Sequence, residues 1–317
     1  MLIPAGKETW KMRKRFTGAM VAATAAAAAA VVSLTVMPLS GQAPAAGAGQ
    51  GRGQGAGAGA GQGRGQAAAP AQARPATPAT PRPARIAGHP NINGIYQSMT
   101  TANWNLEDHP AQATKFWELG AIGAIPAGMS IVEGGTIPYK ADKLKQREEN
   151  RKDWPKSDPE AKCYMPGIPR ANYMAFPFQI VQGQGDILFV YEFASSNRLV
   201  HMLKHTEAAV DSWMGWANGK WEGDTLVIEN TGFNDMTWFD RAGNFHSDML
   251  KVTERFTPQG DNLMYEATME DPDTFTRPWK ISLPLYRKLE KNAQLLEFKC
   301  VEFSEELLYG DLKKKTE

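Results

Sequence analysis

Four ionisable residues in the second half of the chain have the types and spacing of an acid–base site. His246 and Asp235 lie in one polar connection, which leads into a predicted strand that carries Glu254. A histidine titrates near neutral pH and a carboxylate can orient its ring. We therefore expect His246 to shuttle a proton, Asp235 to orient it, and Glu254 to act as a second acid or base. Arg277, on a later predicted strand, would anchor an oxygen or stabilise developing negative charge.

Strand alternation predicts that Glu254 and Arg277 face the same interior. Within 249–257, Glu254 shares the even-numbered face with apolar residues, and within 274–285 Arg277 shares the odd-numbered face with apolar residues. Charged groups on apolar faces are unfavourable unless they are paired. Two interpretations follow: a structural Glu254–Arg277 ion pair in the core, or a polar patch inside a ligand cavity.

The connection 232–248 is 17 residues long and rich in polar and aromatic side chains. Connections of this length in compact domains are usually functional or disordered, and two phenylalanines together with Trp238 argue against disorder. The alternative to a catalytic role is that Asn234 and Asp235 form turn hydrogen bonds and that His246 caps the end of the barrel.

Aromatic residues indicate a ligand with a ring. Eight tryptophans follow residue 86, and three of them cluster around one predicted hairpin. Flat amphipathic rings suit sugars and aromatic compounds, although core filling is the alternative for any single tryptophan. His201 shares one face of the predicted strand 197–204 with Leu199 and Leu203. The predicted ligand-binding residues are Asn234, Trp238, Trp213, Trp216 and His201.

Metal and cofactor motifs are not found in the sequence. His201 and His205 are four residues apart, which on a strand separates the side chains by ~13 Å. The chain contains neither a Gly-x-Ser-x-Gly elbow nor a phosphate-binding Gly-x-x-x-x-Gly-Lys-Ser/Thr loop. The sequence therefore predicts metal-free chemistry and no cofactor.

Closely spaced strand signals predict a mainly β fold. A first strand is expected near 92–98 and a helix over 138–151. The later predicted strands are 178–182, 186–193, 197–204, 213–217, 224–231, 249–257, 262–270, 274–285 and 295–302. Short connections, with turns such as Asn218-Gly219 and Glu222-Gly223-Asp224, imply antiparallel neighbours. We expect an antiparallel, barrel-like (lipocalin- or calycin-like) domain, or two packed sheets, with one or two short helices.

The first 86 residues have the composition of an export leader and a tether. Basic residues 13–15 precede a charge-free, alanine-rich run, which is the layout of a secretory signal peptide, here 1–43. An uncleaved anchor is the alternative, because the run is long enough to span a bilayer. The Gly/Ala/Pro-rich stretch 44–86 predicts a disordered linker. The remainder, 87–317, is expected to form a single mainly β domain in the periplasm or outside the cell.

Charge and cysteine content agree with that location. Residues 1–86 contain ten basic residues and one acidic residue, and the rest contain 25 basic and 33 acidic residues. An acidic body argues against nucleic-acid binding, and we expect no stable membrane insertion after signal cleavage. Export also favours a disulfide between the chain's two cysteines, Cys163 and Cys300, over two buried thiols.

The segment Trp213 to Asp240, which reads WMGWANGKWEGDTLVIENTGFNDMTWFD, resembles a family of exported bacterial proteins of uncharacterised function. The segments 163–170, 176–180, 246–247, 254–256 and 271–279 also resemble that family, so the resemblance covers roughly 90–303. The family often has a serine at the position of Ala217, which therefore is not expected to be a nucleophile site. The resemblance implies one recurring pattern that comprises Asn234, Asp235, Trp238, His246, Glu254 and Arg277.

Together these features predict an exported barrel that binds a small ring-containing molecule and performs acid–base chemistry of the lyase, hydratase or hydrolase type. Two alternatives remain: a non-catalytic, lipocalin-like carrier and a scaffold of the cell envelope. For a carrier, the ligand affinity would depend on the tryptophans and no product would form. A scaffold would have no internal cavity.

Overall fold

The computed structural model describes residues 84–152 and 154–313, which belong to one compact unit, Ala76–Glu317. The predicted signal peptide (1–43) and most of the predicted linker (44–86) lie outside the described residues. At the start of the described part, strands β1 (Arg85–Ile86) and β2 (His89–Pro90) form a small antiparallel sheet. Residues 85 and 86, expected at the end of the linker, therefore belong to this sheet.

Nine strands close into a barrel, which confirms the predicted fold class. They are β3 (Gly94–Ser98), β4 (Phe178–Gln182), β5 (Ile187–Tyr191), β6 (Asn197–His201), β7 (Trp216–Glu222), β8 (Thr225–Thr231), β9 (Lys251–Gln259), β10 (Asn262–Glu270) and β11 (Trp279–Arg287). Sequential strands are neighbours, and β11 returns to pair with β3. Strand directions cannot alternate all the way round a ring with an odd number of members. The pair β6–β7 is accordingly parallel, and the others are antiparallel.

Alternation along β9 and β11 gives the core as predicted. Val252, Glu254 and Phe256 on β9 are fully buried, and alternate residues of β11 from Trp279 to Leu285 are buried as well. On β6, the face that Leu199 shares with His201 points away from the core. Leu199 is 45 % exposed, whereas Arg198 and Val200 point into the core. A leucine on the outer surface is tolerated because a folded surface is largely apolar anyway.

Helices are few and short. They are α1 (Leu144–Lys152), α2 (Trp154–Ser157) and α3 (Ser304–Tyr309), with 3-10 turns at Trp117–Gly123, Pro159–Lys162, Arg170–Asn172, Phe193–Ser195 and Gly310–Leu312. The predicted helix 138–151 begins later because Tyr139 and Lys140 make backbone hydrogen bonds elsewhere, among them Lys140 N–H to the carbonyl of Thr274. Within the described residues, no helix combines the length and apolar character required to cross a membrane.

Two further strand predictions are wrong. Residues 295–302 form no strand; since β11 pairs with β3, the closed ring has no free edge to receive one. The Asn218-Gly219 pair lies within β7 instead of forming a turn. The β7–β8 hairpin turns at Gly223-Asp224, where Gly223 adopts the left-handed conformation (φ +62°) that glycine tolerates.

The predicted disulfide is present. Cys163 and Cys300 are bonded, with their Cα atoms 5.6 Å apart across 137 positions of sequence. The bond ties the irregular segment that follows β11 to the loop between α2 and β4. That attachment shapes one of the cavities described below.

Candidate functional site

Glu254 lies fully buried inside the barrel and both of its carboxylate oxygens are occupied. Oε1 accepts hydrogen bonds from Asn172 Nδ2 (2.7 Å) and the Tyr265 hydroxyl (2.8 Å). Oε2 accepts from Asn230 Nδ2 (2.7 Å) and forms a close ion pair with Arg198 Nη1. A carboxylate satisfied by a cation and three neutral donors is a structural anchor.

The predicted Glu254–Arg277 ion pair is wrong. Arg277 is exposed and precedes β11, and its Nη1 donates to the carbonyl of Pro278 (3.3 Å). Pro278 has no backbone N–H to donate to a ladder, so the strand begins only at Trp279. The partner of Glu254 is Arg198, whose guanidinium lies 4.6 Å from the ring centroid of Phe189. Sequence patterning missed Arg198 because it singled out the opposite face of that strand, which carries Leu199 and His201, while Arg198 shares the inner face with Val200.

His246 is buried at the end of the long connection, and both of its ring nitrogens have partners. Nδ1 donates to the carbonyl of Ser247 (2.8 Å), and Nε2 accepts from the Thr237 hydroxyl (2.6 Å). Burial lowers the pKa of the imidazole, while the Ser247 hydrogen bond and the charges of Asp271 and Asp235 oppose that effect. Asp235 is exposed and bonds to neither nitrogen, so the prediction that it orients His246 is wrong.

The rest of the connection 232–248 is held by its own hydrogen bonds. The buried carboxylate of Asp240 accepts from the backbone N–H groups of Leu106 (2.9 Å), Ala242 (2.9 Å) and Asn244 (3.2 Å), and from Asn244 Nδ2 (2.6 Å). Burial raises the pKa of Asp240 to about 6 despite these donors. Asn234 Oδ1 accepts from the backbone N–H two residues later. The turn interpretation therefore describes Asn234 better than a ligand contact does.

The predicted ligand-binding tryptophans pack against separate partners. Trp213 stacks on Tyr164 with ring centroids 4.8 Å apart, and Trp216 stacks on His201 at 4.5 Å. Trp238 is buried and forms an isolated β-bridge with Phe245 outside the barrel strands. The structure thus brings His201 and Trp216 together but gives Trp213 and Trp238 other environments.

A cluster of buried charges that sequence reasoning missed lies next to the disulfide loop. Arg170 makes two hydrogen bonds to Asp158 (2.9 and 2.8 Å) and one to Glu160 (2.7 Å). Arg241 makes two more to Glu160 (2.8 and 2.9 Å). Burial would raise the pKa of Glu160, but the two guanidinium groups lower it to about 2. One feature of the sequence could have indicated this cluster. Arg170 is the last residue of the segment 163–170, which resembles the exported family.

This charge cluster borders a cavity of about 310 Å³, here called the aromatic cavity. Three of its rings contact one another, since the centroid of Phe298 lies 4.9 Å from that of Phe176 and 5.0 Å from that of Phe193. The polar lining consists of one serine and six charged residues, namely Ser304, Lys115, Glu160, Arg241, Lys299, Glu305 and Glu306. The aromatic lining consists of Phe116, Trp154, Phe176, Phe193, Phe298 and Phe303. Sequence reasoning missed this site, whose residues come from segments far apart in the chain.

The described residues contain no group of three or more His, Cys, Asp or Glu side chains arranged to hold a metal ion. Neither the protein-family models nor the curated proteins compared with this chain gave a match.

Proposed function

We propose that the protein is exported and binds a small ring-containing molecule in the aromatic cavity. The observation that carries this proposal is a cavity of about 310 Å³ that is lined by six aromatic side chains together with six charged residues and one serine. Small-molecule sites in proteins typically have this size and this mostly apolar lining. The proposal keeps the predicted class of ligand but moves the site from the barrel interior to the loops outside it.

Of the two proposed roles, carrier and enzyme, the geometry favours a carrier that binds its ligand without catalysing a reaction. A general base needs a free lone pair within reach of the proton that it removes. The nitrogens of His246 and the oxygens of Glu254 already have partners, while Asp235 and Arg277 are exposed. These four residues therefore support a carrier better than they support a lyase, hydratase or hydrolase.

Export is supported by two independent features. The order of basic, apolar and small residues in 1–43 is that of a signal peptide. The Cys163–Cys300 bond is of a kind that forms and persists in oxidising compartments. We place the protein in the periplasm or outside the cell, with 44–86 as a tether.

Binding can be tested with N-phenyl-1-naphthylamine, a neutral aromatic probe with a naphthalene and a phenyl group, whose fluorescence rises in apolar surroundings. We expect saturable binding that the substitution Phe298→Ser weakens by about tenfold, the equivalent of ~1.4 kcal/mol of lost ring contact. Tyr286→Ser is the matched control, because it removes an exposed ring from β11. Absence of saturable binding, or equal loss in both variants, would overturn the proposed site.

A second experiment separates a carrier from an enzyme. The purified protein is incubated with a small-molecule extract, and bound and free species are compared by mass spectrometry. A carrier returns its ligand unchanged. Accumulation of a new compound that the substitution His246→Gln abolishes would reinstate acid–base catalysis.

A further inference from the structure

A second cavity of about 310 Å³ lies beside the aromatic cavity and shares Lys115, Phe116, Trp154 and Arg241 with it. Its other walls come from the loop that follows β3 and from the end of α1. We call it the cationic cavity and define it by Trp104, His109, Phe116, Arg151, Lys152 and Trp154.

The charge of this cavity is one-sided. Lys115, Arg151, Lys152 and Arg241 line it, and none of its described lining residues is acidic. Lys115 and Arg241 are paired with glutamates that lie outside the cavity lining. In the described part of the chain, neither Arg151 nor Lys152 has a carboxylate partner. The cavity therefore carries positive charge that no described side chain neutralises.

Close packing fixes the end of α1 that carries these cations. Gly243 adopts φ +83°, and a Cβ atom placed there would lie 2.6 Å from the backbone nitrogen of Arg151. Asn150 Nδ2 also donates to the carbonyl of Gly243 (3.3 Å). The glycine thus permits the connection 232–248 to lie directly against the helix, which places Arg151 and Lys152 at the cavity.

The walls are flat rings. Trp104 and Trp154 meet edge to face with centroids 5.7 Å apart and planes at 84°. The guanidinium of Arg241 lies 4.5 Å from the Trp104 centroid and 5.1 Å from that of Trp154. Such rings offer stacking surfaces to a planar ligand.

His109 adds an unused polar atom. The residue is 7 % exposed and its Nδ1 donates to the carbonyl of Glu107 (2.8 Å), whereas its Nε2 has no hydrogen-bond partner in the described residues. A buried polar atom without a partner is unfavourable. Because Nδ1 donates, Nε2 is a hydrogen-bond acceptor, so its matching partner would be a hydroxyl group on a molecule held in the cavity and not a carboxylate.

We propose that the cationic cavity binds a small aromatic carboxylate. The ring lies among Trp104, Phe116 and Trp154, and the carboxylate faces Arg151 and Lys152, which form charge-assisted hydrogen bonds with it. This inference goes beyond the proposed function, since it assigns a second site with its own class of ligand.

The test compares naphthalene-2-carboxylate with its uncharged counterpart, naphthalene-2-carboxamide, by isothermal titration calorimetry on the full mature protein. We expect the acid to bind about tenfold more tightly than the amide, and the double substitution Arg151→Gln/Lys152→Gln to remove that preference. The matched control is Lys145→Gln, which removes a charge from the solvent-exposed side of the same helix. Unfolding midpoints of all variants verify that the fold is retained.

Equal affinity for acid and amide, or an acid preference that survives the double substitution, would overturn this inference. The outcome is separable from that of the proposed function. Binding of N-phenyl-1-naphthylamine without any acid preference would remove the cationic site alone. An acid preference without binding of that neutral probe would remove the aromatic site alone.

Discussion

Arg198 and Glu254 form an ion pair across the inside of the barrel, from strands β6 and β9 that are not neighbours in the ring. Both side chains are almost completely buried. Removing two charges from water is unfavourable, and the attraction compensates only when further hydrogen bonds satisfy the remaining atoms. Asn172, Asn230 and Tyr265 provide those bonds to the carboxylate.

Substitution of this carboxylate should be strongly destabilising. Glu254→Gln leaves the Arg198 guanidinium buried without its counter-charge, which we expect to lower the free energy of unfolding by ~3–5 kcal/mol. Urea denaturation monitored by tryptophan fluorescence measures the change. Glu222→Gln is the matched control, because it breaks the exposed pair with Arg255, which water screens, and should therefore have a much smaller effect. Equal effects of the two substitutions would contradict a structural role for the buried pair.

Stability should depend on the protonation of His246. Burial lowers its pKa below the ordinary value of 6.5, so the unfolded chain takes up a proton first as the pH falls. The stability that the neutral ring contributes is therefore present above about pH 6.5 and is lost progressively below it. His246→Gln should destabilise by ~1–3 kcal/mol at pH 8, where two buried hydrogen bonds are disturbed.

The measurement for this prediction is the free energy of unfolding in urea between pH 5 and pH 8. The difference between the wild type and His246→Gln should shrink as the pH falls. The exposed His205 serves as the control site, with His205→Gln. A difference that stays constant over the whole range would show that His246 does not titrate with unfolding.

The disulfide should affect ligand binding as well as stability. Replacing Cys163 and Cys300 by serine removes a cross-link that closes a loop of 137 residues, for which chain entropy predicts up to ~5 kcal/mol of stabilisation. It also frees the segment around Phe298, which lines the aromatic cavity. We expect weaker binding of N-phenyl-1-naphthylamine at temperatures where circular dichroism shows an intact barrel. If the folded double variant binds N-phenyl-1-naphthylamine with unchanged affinity, the disulfide is not required to keep the segment around Phe298 in place.

The barrel was predictable where hydrophobic alternation and burial agree, as on β9 and β11. Alternation along β6 is regular but failed to show which face is the inner one, because Arg198 enters the core with a charged partner from β9 that no local pattern reveals. It also failed at Arg277, where the apolar pattern extends past the true start of β11 and Pro278 interrupts the ladder.

The cavities could not be predicted from periodicity. The aromatic cavity combines rings from positions as distant as Phe116, Trp154 and Phe298. The disulfide joins the segment that carries Phe298 to the loop before β4. Each ring by itself is an ordinary apolar residue in an irregular segment. In the sequence, the pair Cys163 and Cys300 indicated that the segment after β11 is joined to the loop before β4.

Closure of the ring also limits how the barrel can associate with other chains. Unpaired edges of a sheet are templates on which a foreign strand can add or an aggregate can start. Every barrel strand is hydrogen-bonded on both sides, including β11 to β3. A macromolecule that recognises this barrel is therefore expected to bind mainly through its loops and outward side chains, because no barrel strand leaves a whole edge open for strand addition.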